Sequence, residues 1–309
     1  MKHSVPIVSS RLVLDKETDD WVIIAPGREY RSDDLLQPFR ACRFCPEQLE
    51  RVEVFASAGK GVRRLLAIPN TFPSLSTAPG SPYGRQEIIV EGTAHDALAA
   101  WTIRETVDLL RFYGERMIAA KKDPCIKLVL LFKNEGRAAG ASQVHPHSQL
   151  WATSLVSQKV LSDHSRREYL RAYTHCCPAC LSVRHAESGP LVIFEDAHAI
   201  SFAHPCGRFA YEVRILSKHH VDNLSLLKGE RLTSLAKALH ACMPLLAELK
   251  APFNFYTQEL VDDPDQHVEL RLSPRLNTWA GLEISSGFFV NPVDPAEAAE
   301  AYRQAAARA

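Results

Sequence analysis

The segment His145-Pro146-His147-Ser148-Gln149 sets two imidazoles and a carboxamide at alternate positions, just ahead of the strand-like LWATS. Alternate residues of an extended chain share a face, so His145, His147 and Gln149 point the same way. A neutral imidazole is a competent nucleophile near pH 7, and the phosphoramidate it forms readily gives its phosphoryl group away again. Gln149 is placed to hydrogen-bond a non-bridging phosphate oxygen as charge develops on it. The preceding run Gly136-Arg137-Ala138-Ala139-Gly140-Ala141-Ser142 is built of small residues that let backbone N–H groups approach a phosphate, with Ser142 as a hydroxyl donor.

A second set of residues suits a metal. Cys42 and Cys45 form a C-x-x-C pair followed at a distance by His95 and His145; Cys177 and Cys180 form another, followed by His220 and His267. Two thiolates and two imidazoles make the closed tetrahedral set that structural zinc prefers, so two structural Zn2+ sites are expected. If His145 is a ligand, the metal orients the strand that carries His147 without touching the reacting atoms. Redox chemistry is the other use of C-x-x-C, but it wants the motif after a strand in a βαβ unit, and Cys42-Arg43-Phe44-Cys45-Pro46 follows the polar stretch RSDDLLQPFRA. The remaining cysteines, Cys125, Cys176, Cys206 and Cys242, read as buried small hydrophobes.

The elements that must position these groups occur twice in the same order. QEIIVE reads as a strand, Asp96 to Ala120 as a helix, CIKLVLLFKN as a strand, then the small-residue loop and HPHSQLWATS. The second half repeats this with FAYEVRIL, the long amphipathic GERLTSLAKALHACMPLLAEL, APFNFYTQEL, a polar loop and HVELRL. The duplication divides the chain into residues 1–170, with the catalytic motif and first metal set, and residues 171–309, with the second set. In the tail, Asp294 as N-cap and Pro295 at the first helical position start a closing helix. Aligned on His145 and His267, the halves place His147 opposite Glu269 and Gln149 opposite Arg271: the second half has lost the imidazole.

The chain has 309 residues, 46% hydrophobic, with 36 Lys+Arg against 36 Asp+Glu. It is long enough to bury a full core, and the balanced charge disfavours a nucleic-acid-binding module. Small molecules, or another copy of the chain, are the expected partners; neither nucleic acid nor membrane is. No run of about 18 apolar residues occurs, and the N-terminus lacks an apolar segment with a small-residue cleavage site, so a cytoplasmic location is expected.

Through H-P-H-S-Q-L-W and the segments around it, the chain resembles the hexose-1-phosphate uridylyltransferase family of the histidine-triad superfamily, nearly end to end. Ser148 stands where Gly is commoner; the Ser form is similar to the adenylyl-transferring, ADP-sugar phosphorylase branch. WVIIAPGREYR resembles the family's opening strand and basic pair, implying that Arg28 and Arg31 meet phosphates. AIPNTFPSL resembles the nucleoside-binding segment, which implies base or ribose contacts for Asn70 and Phe72. FKNEGRAAGAS matches the phosphate-binding loop, so Asn134, Gly140 and Ser142 carry over as phosphate contacts. TWAGLEISSGFFVNPV resembles the hexose-holding segment, with Glu283 as hydroxyl acceptor; Leu282 replaces a Tyr common in enzymes acting on galactose 1-phosphate. The resemblance implies an α+β fold of two histidine-triad-like units whose antiparallel sheets form a shared half-barrel with helices packed on it, and a homodimer with the site near the interface.

The expected function is ping-pong transfer. His147 takes the nucleotidyl group of a nucleoside diphosphate sugar and passes it either to a sugar 1-phosphate, as a uridylyltransferase does, or to inorganic phosphate, as an ADP-sugar phosphorylase does. Histidine-triad hydrolysis is the rival; Gln149, where those hydrolases carry a third histidine, favours transfer.

Overall fold

A computed structural model describes residues 10–16, 20–26, 42–261 and 263–309. Strands β1 (Arg11–Leu14) and β2 (Trp21–Ile24) form a separate antiparallel pair. The other ten strands form one open sheet: β3 (Ala56–Ala58), β4 (Leu65–Pro69), β5 (Gly84–Glu91), β6 (Leu128–Glu135), β7 (His147–Thr153), β8 (Val192–Glu195), β9 (Ala199–Ala203), β10 (Val213–Ser217), β11 (Phe253–Leu260) and β12 (Glu269–Pro274). Their spatial order is β3-β4-β5-β7-β6-β11-β12-β10-β9-β8, with every pairing antiparallel.

Read outward from the β6–β11 pair, that order is the same on both sides. β6, β7, β5, β4 and β3 correspond to β11, β12, β10, β9 and β8, so two five-strand modules meet edge to edge in one sheet. Joining them this way leaves the central edges paired rather than exposed. The junction runs the full length of both strands, from Phe253 opposite Glu135 to Leu260 opposite Leu128.

The helices are α1 (Pro46–Leu49), α2 (Ile103–Ala120), α3 (Gln158–Thr174), α4 (Pro178–Ala186), α5 (Glu230–His240), α6 (Met243–Glu248), α7 (Gly281–Ser286) and α8 (Pro295–Arg308). The α2 helix starts where Thr102 and Glu105 form a reciprocal capping box, later than the Asp96 boundary read from periodicity. Its Leu109, Leu110, Phe112, Tyr113 and Met117 are buried in the main core with residues of α5, α6 and α8. Each such side chain contributes roughly 1.5–3 kcal/mol on burial, so Leu110→Ala would cost about 2–5 kcal/mol. The expected closing helix forms as read: Asp294 Oδ1 accepts from Ala296 N–H at 2.7 Å.

Two readings are corrected. The long second-half helix is broken into α5 and α6, because Pro244, near the start of α6, has no N–H to continue the ladder. Of the four spare cysteines only Cys242 is buried; Cys125 and Cys206 are exposed and Cys176 is half-buried, since they lie in loops rather than on core-facing positions.

Candidate active site

β7 begins at His147, and alternation along the strand separates two environments. His147 and Gln149 face one side; Ser148 faces the helix-covered side. His147 is 4% exposed, and its Nδ1 lies 2.9 Å from the carbonyl oxygen of His145. A carbonyl only accepts, so Nδ1 carries the hydrogen and the ring's basic lone pair sits on Nε2. Phe44, inside the first C-x-x-C turn, packs its ring 5.0 Å from that of His147.

A cavity of about 60 Å3 opens beside this imidazole, lined by His147, Gln149, Asn70, Phe72, Ser142 and Gln143 together with the apolar Ile68 and Ile88. Register explains the apolar wall: Gln149 lies opposite Ile88 on one flank and Phe132 on the other, and Ile88 lies opposite Ile68. Asn70 turns the chain at the cavity mouth by accepting Phe72 N–H at 2.9 Å through Oδ1, and Arg43 stacks over Phe72 at 5.6 Å.

The small-residue loop closes the other side. Gly136 and Gly140 both have positive φ, 81° and 85°, and Gly136 approaches Pro252 so closely that an added Cβ would stand 2.9 Å from its side chain. Asn134 does not line the cavity: its Oδ1 accepts Asn254 Nδ2 at 2.8 Å, and the same nitrogen reaches the Ala139 carbonyl at 2.8 Å. Thus Asn134 and Asn254, paired across the module junction, brace the loop that carries Gly140 and Ser142.

Behind β7 lies a buried polar cluster. Glu91 takes Lys133 Nζ at 2.6 Å and Tyr113 Oη at 2.5 Å, and it also receives the hydroxyl of Ser148. Burial alone would raise the Glu91 carboxyl, yet the Lys133 ammonium and the hydrogen bonds hold it below its ordinary value. Ser148 therefore spends its hydroxyl on the scaffold side of the strand.

Both Cys/His sets converge. In each, Cys42/Cys45/His95/His145 and Cys177/Cys180/His220/His267, the four donor atoms lie within 4.8 Å of one another. Cys45 Sγ stands 3.6 Å from His95 Nε2; Cys180 Sγ stands 3.6 Å from His220 Nδ1 and 3.5 Å from His267 Nδ1. A tetrahedron built on ordinary zinc–sulfur and zinc–nitrogen bonds has mixed edges of about 3.6 Å. His145 points Nε2 at the Gly92 carbonyl (3.0 Å) and His267 points Nε2 at the Ser217 carbonyl (2.8 Å), each fixing the tautomer that frees Nδ1 for a ligand. His145 Nδ1 is buried with no hydrogen-bond partner among the described residues, a costly state that a cation relieves. Burial and the neighbouring thiol push Cys45 and Cys180 up to about 11, which a dication would reverse. Both sets fit a metal ion. A third group, His164, Glu168 and Asp263, is instead an ion-pair network: Arg167 sits 3.2 Å from Asp263.

The twin module differs as its sequence foretold. Glu269 and Arg271 occupy the places of His147 and Gln149, and Arg271 lies between Arg214 and Tyr256 where Gln149 lies between Ile88 and Phe132. Of the other site candidates, Arg28 and Arg31 lie outside the described residues, and Glu283 lies outside the cavity, half-buried on α7, where it accepts the Ala280 N–H at 2.9 Å. Sequence reading missed Phe44, Ile68, Ile88 and Gln143. The alternation of IIVE and of LLAIP was the available signal for the two isoleucines.

The family model described as "Domain of unknown function (DUF4921)" matches residues 90–307. The chain is 27% identical to ADP-glucose phosphorylase of Arabidopsis thaliana, covering 97% of this chain and 94% of that protein, and 26% identical to galactose-1-phosphate uridylyltransferase of Thermotoga maritima, covering 93% and 96%. The crystal structure of the Arabidopsis ADP-glucose phosphorylase with bound ADP-glucose superposes with a TM-score of 0.76 at 26% identity, over 96% of this chain and 99% of that one.

Proposed function

The chain belongs to the DUF4921 family, which is galactose-1-phosphate uridylyltransferase-like, and from that premise we propose that it is a nucleotidyltransferase acting on nucleoside diphosphate sugars through a nucleotidyl-histidine on His147. The observation that carries the reading is the hydrogen bond from His147 Nδ1–H to the His145 carbonyl, made inside a cavity that Gln149, Ser142, Asn70 and Phe72 also line.

In the first half-reaction, Nε2 attacks the α-phosphorus, a nitrogen–phosphorus bond forms, and the bond to the bridging oxygen breaks, releasing sugar 1-phosphate. Nδ1 keeps its proton, so the modified ring is cationic and the His145 carbonyl offsets that charge. In the second half-reaction an oxygen of the acceptor phosphate attacks the same phosphorus and returns His147 unmodified. Each displacement is in line, and a single nucleophile serves both because the site empties between them. Gln149 donates to a non-bridging oxygen; Gly140, Ser142 and the loop braced by Asn134 hold phosphate oxygens; Asn70 and Phe72 hold the nucleoside; Arg28 and Arg31 contribute phosphate contacts.

Zinc is the metal that two thiolates and two imidazoles favour, one ion per set. Bound zinc supplies structural closure, fixing the Phe44 turn and the His145 end of β7. We read the protein as a cytoplasmic homodimer. No helix of the described residues is long and apolar enough to cross a membrane. Leu282, Ile284, Phe288 and Val290 are exposed around Glu283, an apolar stretch that a second copy would cover, bringing Glu283 near the partner's sugar.

Two acceptors remain in this reading. The ADP-glucose phosphorylase likeness and Ser148 favour inorganic phosphate; the uridylyltransferase likeness favours a hexose 1-phosphate. Crossing UDP-glucose and ADP-glucose as donors with phosphate and hexose 1-phosphates as acceptors separates them. Nucleotidyl transfer to one acceptor is expected; release of nucleoside monophosphate to water with every acceptor would make the protein a hydrolase.

A further inference from the structure

A cavity larger than the one beside His147 lies in the other module. It measures about 490 Å3, a volume that suits a sugar phosphate or nucleotide, and it opens over β10 and β12, walled by α3 and α4. Its floor holds Arg214, Arg271, Glu269 and Tyr256.

The cleft as a whole is lined by more cationic than anionic side chains. Arg214 grips Glu269 with Nε at 2.7 Å and its terminal nitrogen at 3.0 Å, while Arg271 Nε reaches the same Oε1 at 2.9 Å. Glu269 thus pairs with both guanidiniums, and the buried carboxylate of Glu212 also acts on Arg271. Arg271 remains 39% exposed, with its Nε on Glu269 and a further hydrogen bond to Tyr256. Around the rim, Lys159 pairs with Asp163 and Arg167 with Asp263, and Glu212 is used on the Arg208 and Phe209 N–H groups; Asp265 is held by Arg171. Arg166 and Arg208 stack on Tyr169 and Phe289, so their charge is not spent on a carboxylate there. His204, also in the wall, is driven down to about 4 by burial and by Arg214 and Arg271, and so stays neutral. The matching floor of the first module carries Ile88, Gln149 and His147, none a fixed cation.

We propose that this cleft is a second ligand site, distinct from that of His147, which binds the phosphoryl group of a small phosphorylated molecule on Arg271 and Arg214. Guanidinium forks match phosphate oxygens bidentately, and Tyr256 gives the remainder of the ligand an aromatic wall. The loss of the imidazole at Glu269 then marks a change of use: the twin cleft kept a hollow and exchanged a nucleophile for fixed positive charge. Binding here involves no covalent step.

The test is equilibrium dialysis of the metal-loaded protein against radiolabelled inorganic phosphate, with glucose 1-phosphate and AMP as competitors. The wild type and His147→Ala are both expected to retain a bound equivalent that Arg271→Gln loses, its affinity falling on the order of ten- to a hundredfold. Arg271→Lys should recover part of it. Stronger competition by glucose 1-phosphate or AMP than by unlabelled phosphate would identify an ester as the occupant; equal competition would identify free phosphate. Equal binding by wild type and Arg271→Gln overturns the proposal, as does loss of this equivalent in His147→Ala, which would place it in the catalytic cavity. Should Arg271→Gln fail to fold, the exposed Arg208→Gln decides: weaker phosphate binding supports the site and unchanged binding rejects it.

Discussion

Lys133 Nζ and Glu91 Oε2 stand 2.6 Å apart with both side chains 1% exposed, on the face of the sheet opposite His147. Ser148 and Tyr113 complete the shell around the carboxylate, so the ends of β5, β6 and β7 are tied together directly behind the nucleophile. Removing one partner leaves a buried charge alone. Lys133→Met is expected to destabilise by about 3–5 kcal/mol in urea unfolding, whereas Lys133→Met with Glu91→Leu should recover much of that loss. Equal stability of the single variant and wild type would show that the pair holds nothing.

Glu269 gives the fold an acid-sensitive element. Burial would raise its carboxyl, but Arg214 and Arg271 bring it down to about 2. Because the folded value is depressed, the stabilisation is complete above the unfolded value of about 4.3 and is lost as pH falls toward 2. Stability of the wild type should therefore drop across that window, and the drop should be shallower in Glu269→Gln. Identical slopes would mean that other carboxylates govern the acid limb.

Gln149 should matter to the transition state more than to binding. Gln149→Ala is expected to lower kcat by roughly a hundredfold or more while KM changes little, as loss of a donor to a developing oxyanion does. A rise in KM with unchanged kcat would reassign it to ground-state binding.

Metal removal should act on structure. Elemental measurement is expected to find two zinc ions per chain, with Cys45→Ser and Cys180→Ser each losing one. Chelation should lower Tm, and Cys45→Ser should also cut activity, because Phe44 and His145 flank His147. Full metal content in either variant would remove that set from the ligand list.

Much of this was legible because the chain carries its plan twice. The C-x-x-C pairs, the distant histidines and the contrast between His147 and Glu269 are local patterns, and their recurrence gave the symmetric strand order that meets at β6 and β11. What sequence did not show depends on register across several strands. Ile68 and Ile88 form the cavity wall only because β4, β5 and β7 align so that both oppose Gln149's row. Lys133 is a charged residue in a largely apolar strand, and only the pairing of β5 with β7 and β7 with β6 brings Glu91 beside it. Pro244 was visible and should have divided the long helix, but the apolar periodicity on either side of it masked the break.

The nucleophile itself is tested by mixing the protein with ADP-glucose or UDP-glucose radiolabelled in the nucleotide and isolating it under denaturing conditions. Acid-labile, base-stable label on the wild type is predicted, absent from a His147→Ala variant that is folded and keeps its metal. Turnover by His147→Ala, or label that persists without the imidazole, would contradict a nucleotidyl-histidine at this position.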